Sequence, residues 1–213
     1  DALEDLPVLM GNTKVHVVWA DPPYGIDYSG GRTQVVRNKP YGRIKGDAEK
    51  DNSLFVACAL GIPAQDYWIC VSPINLCPSI TAFGNVDAVI VWDKGRPGLG
   101  YQWIRRQCEF ILFRTSRSKE RQEPSEFDLW SIPTDKPEEY EHGAQKPVAL
   151  VERALHFSPG LIIADPFLGS GTTLIACERL GRTCYGMEIS EVYTQVAIER
   201  WQRYTGKQAV KSG

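Results

Sequence analysis

Short apolar runs alternate with stretches of helical periodicity along most of the chain, and no other feature narrows the fold as much. Strands are predicted at Val15–Ala20, Tyr67–Val71, Ala88–Trp92, Glu109–Phe113, Leu161–Ala164 and Cys184–Met187. Helices are predicted at Leu54–Leu60, Pro147–His156, Thr172–Leu180 and Glu191–Arg203. In the third helix Leu174, Ile175, Cys177 and Leu180 form an apolar stripe. Strands separated by helical segments indicate an α/β fold with a mostly parallel sheet. A chain of 213 residues, 43% hydrophobic, suffices for a single domain over 1–213 with a sizeable core. Two stretches resist regular structure and read as loop insertions. Residues 25–50 are Gly-rich, and residues 114–144 are rich in Pro, Glu and Lys around an isolated "FDLW". Long loops in a compact domain are usually functional or disordered.

Composition excludes more than it assigns. The net charge of −2 provides no global basic field. No apolar run reaches the ~18 residues of a membrane span, and the acidic "DALEDLPVLM" does not read as a secretory signal. The six cysteines are scattered without a CxxC pair, as reduced core cysteines of a cytoplasmic protein would be. The three histidines have no metal-ligand spacing, so no metal is expected.

The first strand ends abruptly in "WADPPYG". Proline cannot donate to a sheet ladder, and it forces the residue before it into extended geometry. The strand therefore stops at Ala20 or Asp21. Asp21, Pro22, Pro23 and Tyr24 are left at its C-terminal edge, where open α/β sheets bind ligands. The loop that follows carries Arg32, Arg37, Lys39, Arg43 and Lys45, with no acid between Asp27 and Asp47. It is either a solvated surface loop or a basic patch beside the tetrapeptide.

A second constellation, "LIIADPFLGSGTTLIACERLG", reads as strand, glycine turn and helix. Gly169 and Gly171 permit backbone geometry and close approach that side chains would block. The turn lacks the lysine of a phosphate-binding loop, and Leu174 stands where a dinucleotide fingerprint has its third glycine. A turn for a nucleoside-bearing ligand without a polyphosphate remains, as does a purely structural turn. Glu188 ends the next strand, where an acid can take ribose hydroxyls. The two constellations at one edge suggest S-adenosylmethionine and methyl transfer.

Taken together, the motifs resemble those of the permuted, β-type DNA amino-methyltransferases, including phage-type enzymes sometimes fused to ParB-like domains. Asp21-Pro22-Pro23-Tyr24 matches their (D/N/S)PP(Y/W/F) motif. Asp165-Pro166-Phe167-Leu168-Gly169-Ser170-Gly171-Thr172-Thr173 matches DPFxGSGTT. "AQKPVALVERAL" matches their QKP segment, and Glu188 with Tyr193 matches the acid-plus-Tyr segment. The order discriminates, because glutamine methyltransferases with an NPPY motif place the cofactor motif first. RNA enzymes of the DPPW type carry Trp at the position of Tyr24.

The resemblance implies a Rossmann-like methyltransferase fold, circularly permuted, with helices on both faces of the sheet. It implies S-adenosylmethionine as cofactor, DNA as partner and transfer to an exocyclic amine, adenine N6 foremost. Cytosine N4 and an inactive nucleic-acid-binding subunit are the alternatives. Asp21 and the Pro22 carbonyl would hold the amine, and Tyr24 would stack on the base. Phe167 would flank the cofactor adenine, and Gly169–Thr172 would wrap its methionine end behind Asp165 and Pro166. Lys146 would sit near its carboxylate, Asp1 would accept from its adenine amine, and Asp47 matches a further acid. Arg105 and Arg106 would join the basic loop on DNA. The chain starts after the strand that precedes the family's "GD", and so reads as a trimmed fragment. Its short recognition region points to a homodimer or a missing recognition domain as the source of further readout.

Overall fold

The computed structural model describes residues 2–24, 52–97, 103–118, 125–135 and 145–211. The elements are α1 (Ala2–Met10), β1 (Val17–Ala20), α2 (Ser53–Leu60), β2 (Asp66–Val71), α3 (Leu76–Phe83), β3 (Ala88–Asp93) and β4 (Cys108–Thr115), followed by β5 (Leu129–Ser131), α4 (Val148–Phe157), β6 (Ile162–Asp165), α5 (Thr172–Arg179), β7 (Thr183–Gly186) and α6 (Glu191–Thr205). The strands form one seven-stranded sheet in the order β5-β3-β4-β2-β1-β6-β7. All pairings are parallel except those of β4, which runs against both β2 and β3. The C-terminal ends of β1, β2, β3, β6 and β7 therefore share one edge with the start of β4.

Side chains alternate across the pleat, and β1 shows how the two faces are filled. Val17 and Trp19 join a core with Trp68, Trp92 and Trp130 that is covered by Leu150, Val151 and Ala154 of α4 and Ile175 and Ala176 of α5. Val18 and Ala20 join the opposite core with Leu6 of α1, Val56 and Ala59 of α2 and Phe83 of α3. Helices thus cover both faces, as the resemblance implied. Among the described residues no helix is long and apolar enough to cross a membrane.

Every predicted strand and helix is present, with ends shifted by a residue or two. Three elements lie outside the prediction. α1 occupies the acidic N-terminal stretch. α3 carries Pro78 in its first turn, where the missing N–H has no helical partner to lose. β5 forms inside the stretch read as irregular. Its short run buries only Trp130, whose indole N–H donates to the Phe127 carbonyl (2.8 Å). Arg114 and Thr115 from that stretch extend β4. Cys70 and Cys177 are buried, but Cys77 is exposed.

Candidate active site

All four residues of β1 are buried, and the strand stops at Ala20 as the prolines require. The Asn75 side-chain amide donates to the Tyr24 carbonyl (2.6 Å), which pins the end of the tetrapeptide. The Lys146 ammonium donates to Asp21 at 2.8 Å from Oδ1 and 2.9 Å from Oδ2. The same Nζ lies 3.4 Å from Glu109 Oε2 and 4.7 Å from the Tyr24 ring centroid. The Tyr24 hydroxyl donates to Glu109 Oε2 (3.0 Å), and Lys94 Nζ donates to Oε1 of the same carboxylate (3.0 Å).

Two carboxylates, two ammoniums and a phenol thus form one cluster. Desolvation pushes the Asp21 carboxyl above its ordinary range against the pull of Lys146, although 24% of its side chain still meets solvent. Burial also acts on Glu109, but Lys146 and Lys94 outweigh it and hold that carboxyl below the ordinary range. Burial works against the charge on Lys146, yet Asp21 and Glu109 keep it firmly protonated. Burial and the same two carboxylates push the Tyr24 phenol well up, so it acts as an O–H donor. The buried Cys70 thiol is likewise pushed up, by burial and then by Asp21.

β6 delivers the second constellation to the same edge, since it pairs directly with β1. Gly169 and Gly171 have φ of +54° and +81°, and a side chain at 171 would bring its Cβ within 3.0 Å of Ala197 Cβ in α6. The Asp165 carboxylate accepts from the Phe167 N–H (2.9 Å) and the Thr173 hydroxyl (2.6 Å). Burial raises it to about 7, with Asp21 and Glu188 adding repulsion. Glu188 accepts from the N–H groups of Gly169 and Ser190, each at 2.8 Å. The first amide of the glycine turn is therefore held by an acid of the chain itself. Arg200 of α6 braces the turn through the Ser170 carbonyl (3.2 Å) and the Thr172 hydroxyl (3.1 Å). Phe167 packs edge-on to Phe55, with ring centroids 5.8 Å apart.

The segment before α4 stitches the two constellations together. Gln145 Oε1 accepts from the Ser170 hydroxyl (3.1 Å), and the Lys146 carbonyl accepts from the Thr172 hydroxyl (3.2 Å). The Lys146 side chain then reaches across to Asp21.

Of the residues singled out in the sequence, Asp21–Tyr24, Lys146, Asp165–Phe167, Gly169–Thr172 and Glu188 gather at this edge. Asp1, Asp47, Arg32, Arg37, Lys39, Arg43 and Lys45 lie outside the described residues. Arg105 and Arg106 are exposed between β3 and β4, behind the exposed Trp103 and Ile104. Sequence reasoning missed Glu109, Lys94, Asn75 and Arg200. An acid opening an apolar run in "CEFILF" is the one signal that could have found Glu109.

Among the described residues, the carboxyl groups of Asp21, Glu109, Asp165 and Glu188 stand at this edge together with the cations Lys94, Lys146 and Arg200. Their free carboxylate lone pairs suit a ligand that donates hydrogen bonds. Ser72 Oγ, directly after β2, is buried without a partner among the described residues. Those residues contain no group of three or more His, Cys, Asp or Glu placed to hold a metal.

Residues 82–199 match the family model N6_N4_Mtase, described as DNA methylase. The chain is 29% identical over 217 residues to the type II methyltransferase M2.DpnII of Streptococcus pneumoniae, covering 86% of this chain and 81% of the relative. Among solved structures it resembles the M1.HpyAVI–SAM complex (24% identity, TM-score 0.66, 94% of this chain and 96% of the other). It also resembles the cytosine-N4-specific PvuII DNA methyltransferase (15% identity, TM-score 0.66, 94% and 84%). These two likenesses establish the fold.

Proposed function

The chain belongs to the DNA methylase family, and from that premise we propose that it transfers a methyl group from S-adenosylmethionine to an exocyclic amine of a DNA base, adenine N6. One observation carries the reading. The Asp21–Tyr24 tetrapeptide and the glycine turn stand at the same edge, on the adjacent strands β1 and β6. The order of the two, acceptor strand before cofactor strand, supports the permuted arrangement.

The donor set fits this cofactor. A turn without a phosphate-binding lysine, whose first amide is already held by Glu188, offers ribose hydroxyls a carboxylate acceptor and a pyrophosphate no lysine anchor. S-adenosylmethionine, when bound, supplies an electrophilic methyl group. Asp165, Pro166, Phe167, the turn Gly169–Thr172 and Glu188 would hold it. Each Glu188 oxygen accepts one backbone N–H and keeps a lone pair for a hydroxyl.

The chain's own residues handle the acceptor. The amine lone pair is delocalised into the base, which makes it a poor nucleophile. Asp21 and the Pro22 carbonyl accept its two N–H groups and draw the nitrogen toward tetrahedral geometry, so that positioning and electrostatics lower the barrier. Asp21 takes the proton released, directly or through water. The Tyr24 ring gives the base a stacking face worth ~1–3 kcal/mol. Chemistry on the base requires it to leave the duplex stack.

The test is mass spectrometry of nucleosides from DNA incubated with the protein and methyl-labelled S-adenosylmethionine. Labelled N6-methyldeoxyadenosine is the expected product. Labelled N4-methylcytosine alone would overturn the choice of base, and no labelled nucleoside would overturn the reading.

A further inference from the structure

Glu109 is placed by the one strand that runs against the rest. Because β4 is antiparallel to β2 and β3, its first residues reach the edge at which the other strands end. From there one carboxylate serves three partners. Oε1 takes Lys94 (3.0 Å), while Oε2 takes the Tyr24 hydroxyl (3.0 Å) and lies 3.4 Å from Lys146. Glu109 is 18% exposed and Lys146 8% exposed, so the contacts lie largely out of water.

We propose that Glu109 is a positioning residue of this site. It fixes the Tyr24 ring through the phenol, and it divides the Lys146 ammonium between itself and Asp21, so that Asp21 keeps lone pairs for the acceptor amine. The inference deepens the methyl-transfer reading and rests on it. With Asp21 as its sole counter-ion, Lys146 would form a full ion pair with the group that must receive the amine. Glu109 draws the ammonium part-way off. Lys94 secures the other Glu109 oxygen, so the second carboxylate stays ionised without taking Lys146 altogether. The tie to the phenol sets the tilt of the ring on which the base stacks. The groups acting on Asp21 are then Lys146 ahead of α4, Tyr24 after β1 and Glu109 on β4, with Cys70 of β2 and Asp165 of β6 beside them. Lys94, after β3, acts through Glu109.

The test reads Asp21 directly. In ligand-free protein with 13C-labelled aspartate, the Asp21 side-chain carbon resonance is identified by its loss in Asp21→Asn and titrated with pH. Glu109→Gln removes a negative neighbour and leaves Lys146 wholly to Asp21. Its midpoint is expected to fall by about one pH unit, a tenfold loss of proton affinity. Lys94→Met leaves Glu109 with Lys146 as its only cation among these groups and draws that ammonium off Asp21, and the midpoint is expected to rise by a similar amount. Glu109→Asp keeps the charge and is expected to return the midpoint toward the wild-type value. The acid limb of kcat should follow the same opposite shifts. Midpoints that stay put in both variants, or move in the same direction, would overturn the proposal. Should Glu109→Gln fail to fold, Lys94→Met decides alone: a rise supports the proposal and no rise overturns it. The titration needs no methyl transfer, so a wild-type protein that labels no DNA would sink the reaction while leaving the charge division to be judged on its own.

Discussion

Asp165 offers a prediction whose size follows from the structure. Its carboxyl is buried and raised from an ordinary 3.8 to about 7, so the folded protein binds this proton more tightly than the unfolded chain does. Between those two values the folded state holds the extra proton, and stability falls as pH rises through that window. At about 1.36 kcal/mol per unit, the interval from 3.8 to about 7 amounts to about 4 kcal/mol lost in full above pH 7. Asp165→Asn mimics the protonated form. Its amide oxygen accepts from the Phe167 N–H, so that contact is kept, while its amide nitrogen donates toward the Thr173 hydroxyl oxygen and reverses the direction of the other. The variant is therefore expected to match wild type at pH 4 and to exceed it by up to about 4 kcal/mol at pH 8. With a urea dependence of about 2 kcal/mol/M, the midpoints should separate by about 2 M. Urea unfolding of both proteins from pH 4 to pH 8 measures this, since titrating groups that do not interact with Asp165 cancel in the difference. Parallel stability curves would refute the reasoning and show that Asp165 ionises in the fold as it does in water.

Asp21→Ala is expected to cut methyl transfer about 10²- to 10⁴-fold while calorimetry finds cofactor affinity nearly unchanged; wild-type turnover would remove Asp21 from the mechanism. Glu188→Ala is expected to weaken cofactor binding and also to lower stability by about 1–3 kcal/mol, because it frees the N–H groups of Gly169 and Ser190. Undiminished affinity would take Glu188 out of the binding site. Gly171→Ala must hold φ near +81° with a new Cβ 3.0 Å from Ala197, so thermal unfolding should show a loss of about 1–2 kcal/mol or more, and an unchanged melting temperature would contradict the close approach. DNA affinity is expected to be weak and to fall steeply with salt, with charge reversal at Arg37 and Lys39 lowering it for all sequences alike; a long unique site bound independently of salt would mean that the loops read bases.

The layering of the fold was legible because it rests on periodicity. Apolar runs and helical stripes report burial, and every predicted strand and helix is present. β5 escaped for a physical reason. Three residues with one buried side chain give too little alternation to detect, and the strand persists through its pairing with β3. α3 escaped because Pro78 reads as a breaker unless its place in the first turn is known. The direction of β4 is a third such case. A strand's sequence carries its burial but not its polarity in the sheet, and that polarity decides whether Glu109 stands at the edge with Asp21 or at the far side.

Lys146 shows where motif reading stops and geometry begins. The resemblance implies a place for it near the cofactor carboxylate, and its backbone carbonyl accepts from Thr172 of the glycine turn (3.2 Å). Its side chain lies 2.8 Å from Asp21 and 3.4 Å from Glu109. The choice follows from charge. A largely buried ammonium needs carboxylate partners, and the two that meet it come from β1 and β4, which no local sequence window joins. One residue thereby touches the turn with its backbone and the Asp21 carboxylate with its side chain, which ties the two constellations together. Lys146→Met would leave Asp21 and Glu109 facing each other without their shared cation. The variant should raise the Asp21 titration midpoint beyond that of Lys94→Met, because the ammonium removed is the one in direct contact with Asp21. A smaller rise than in Lys94→Met would show that the 2.8 Å contact contributes less than the remote one, and the division of charge argued from these distances would not stand.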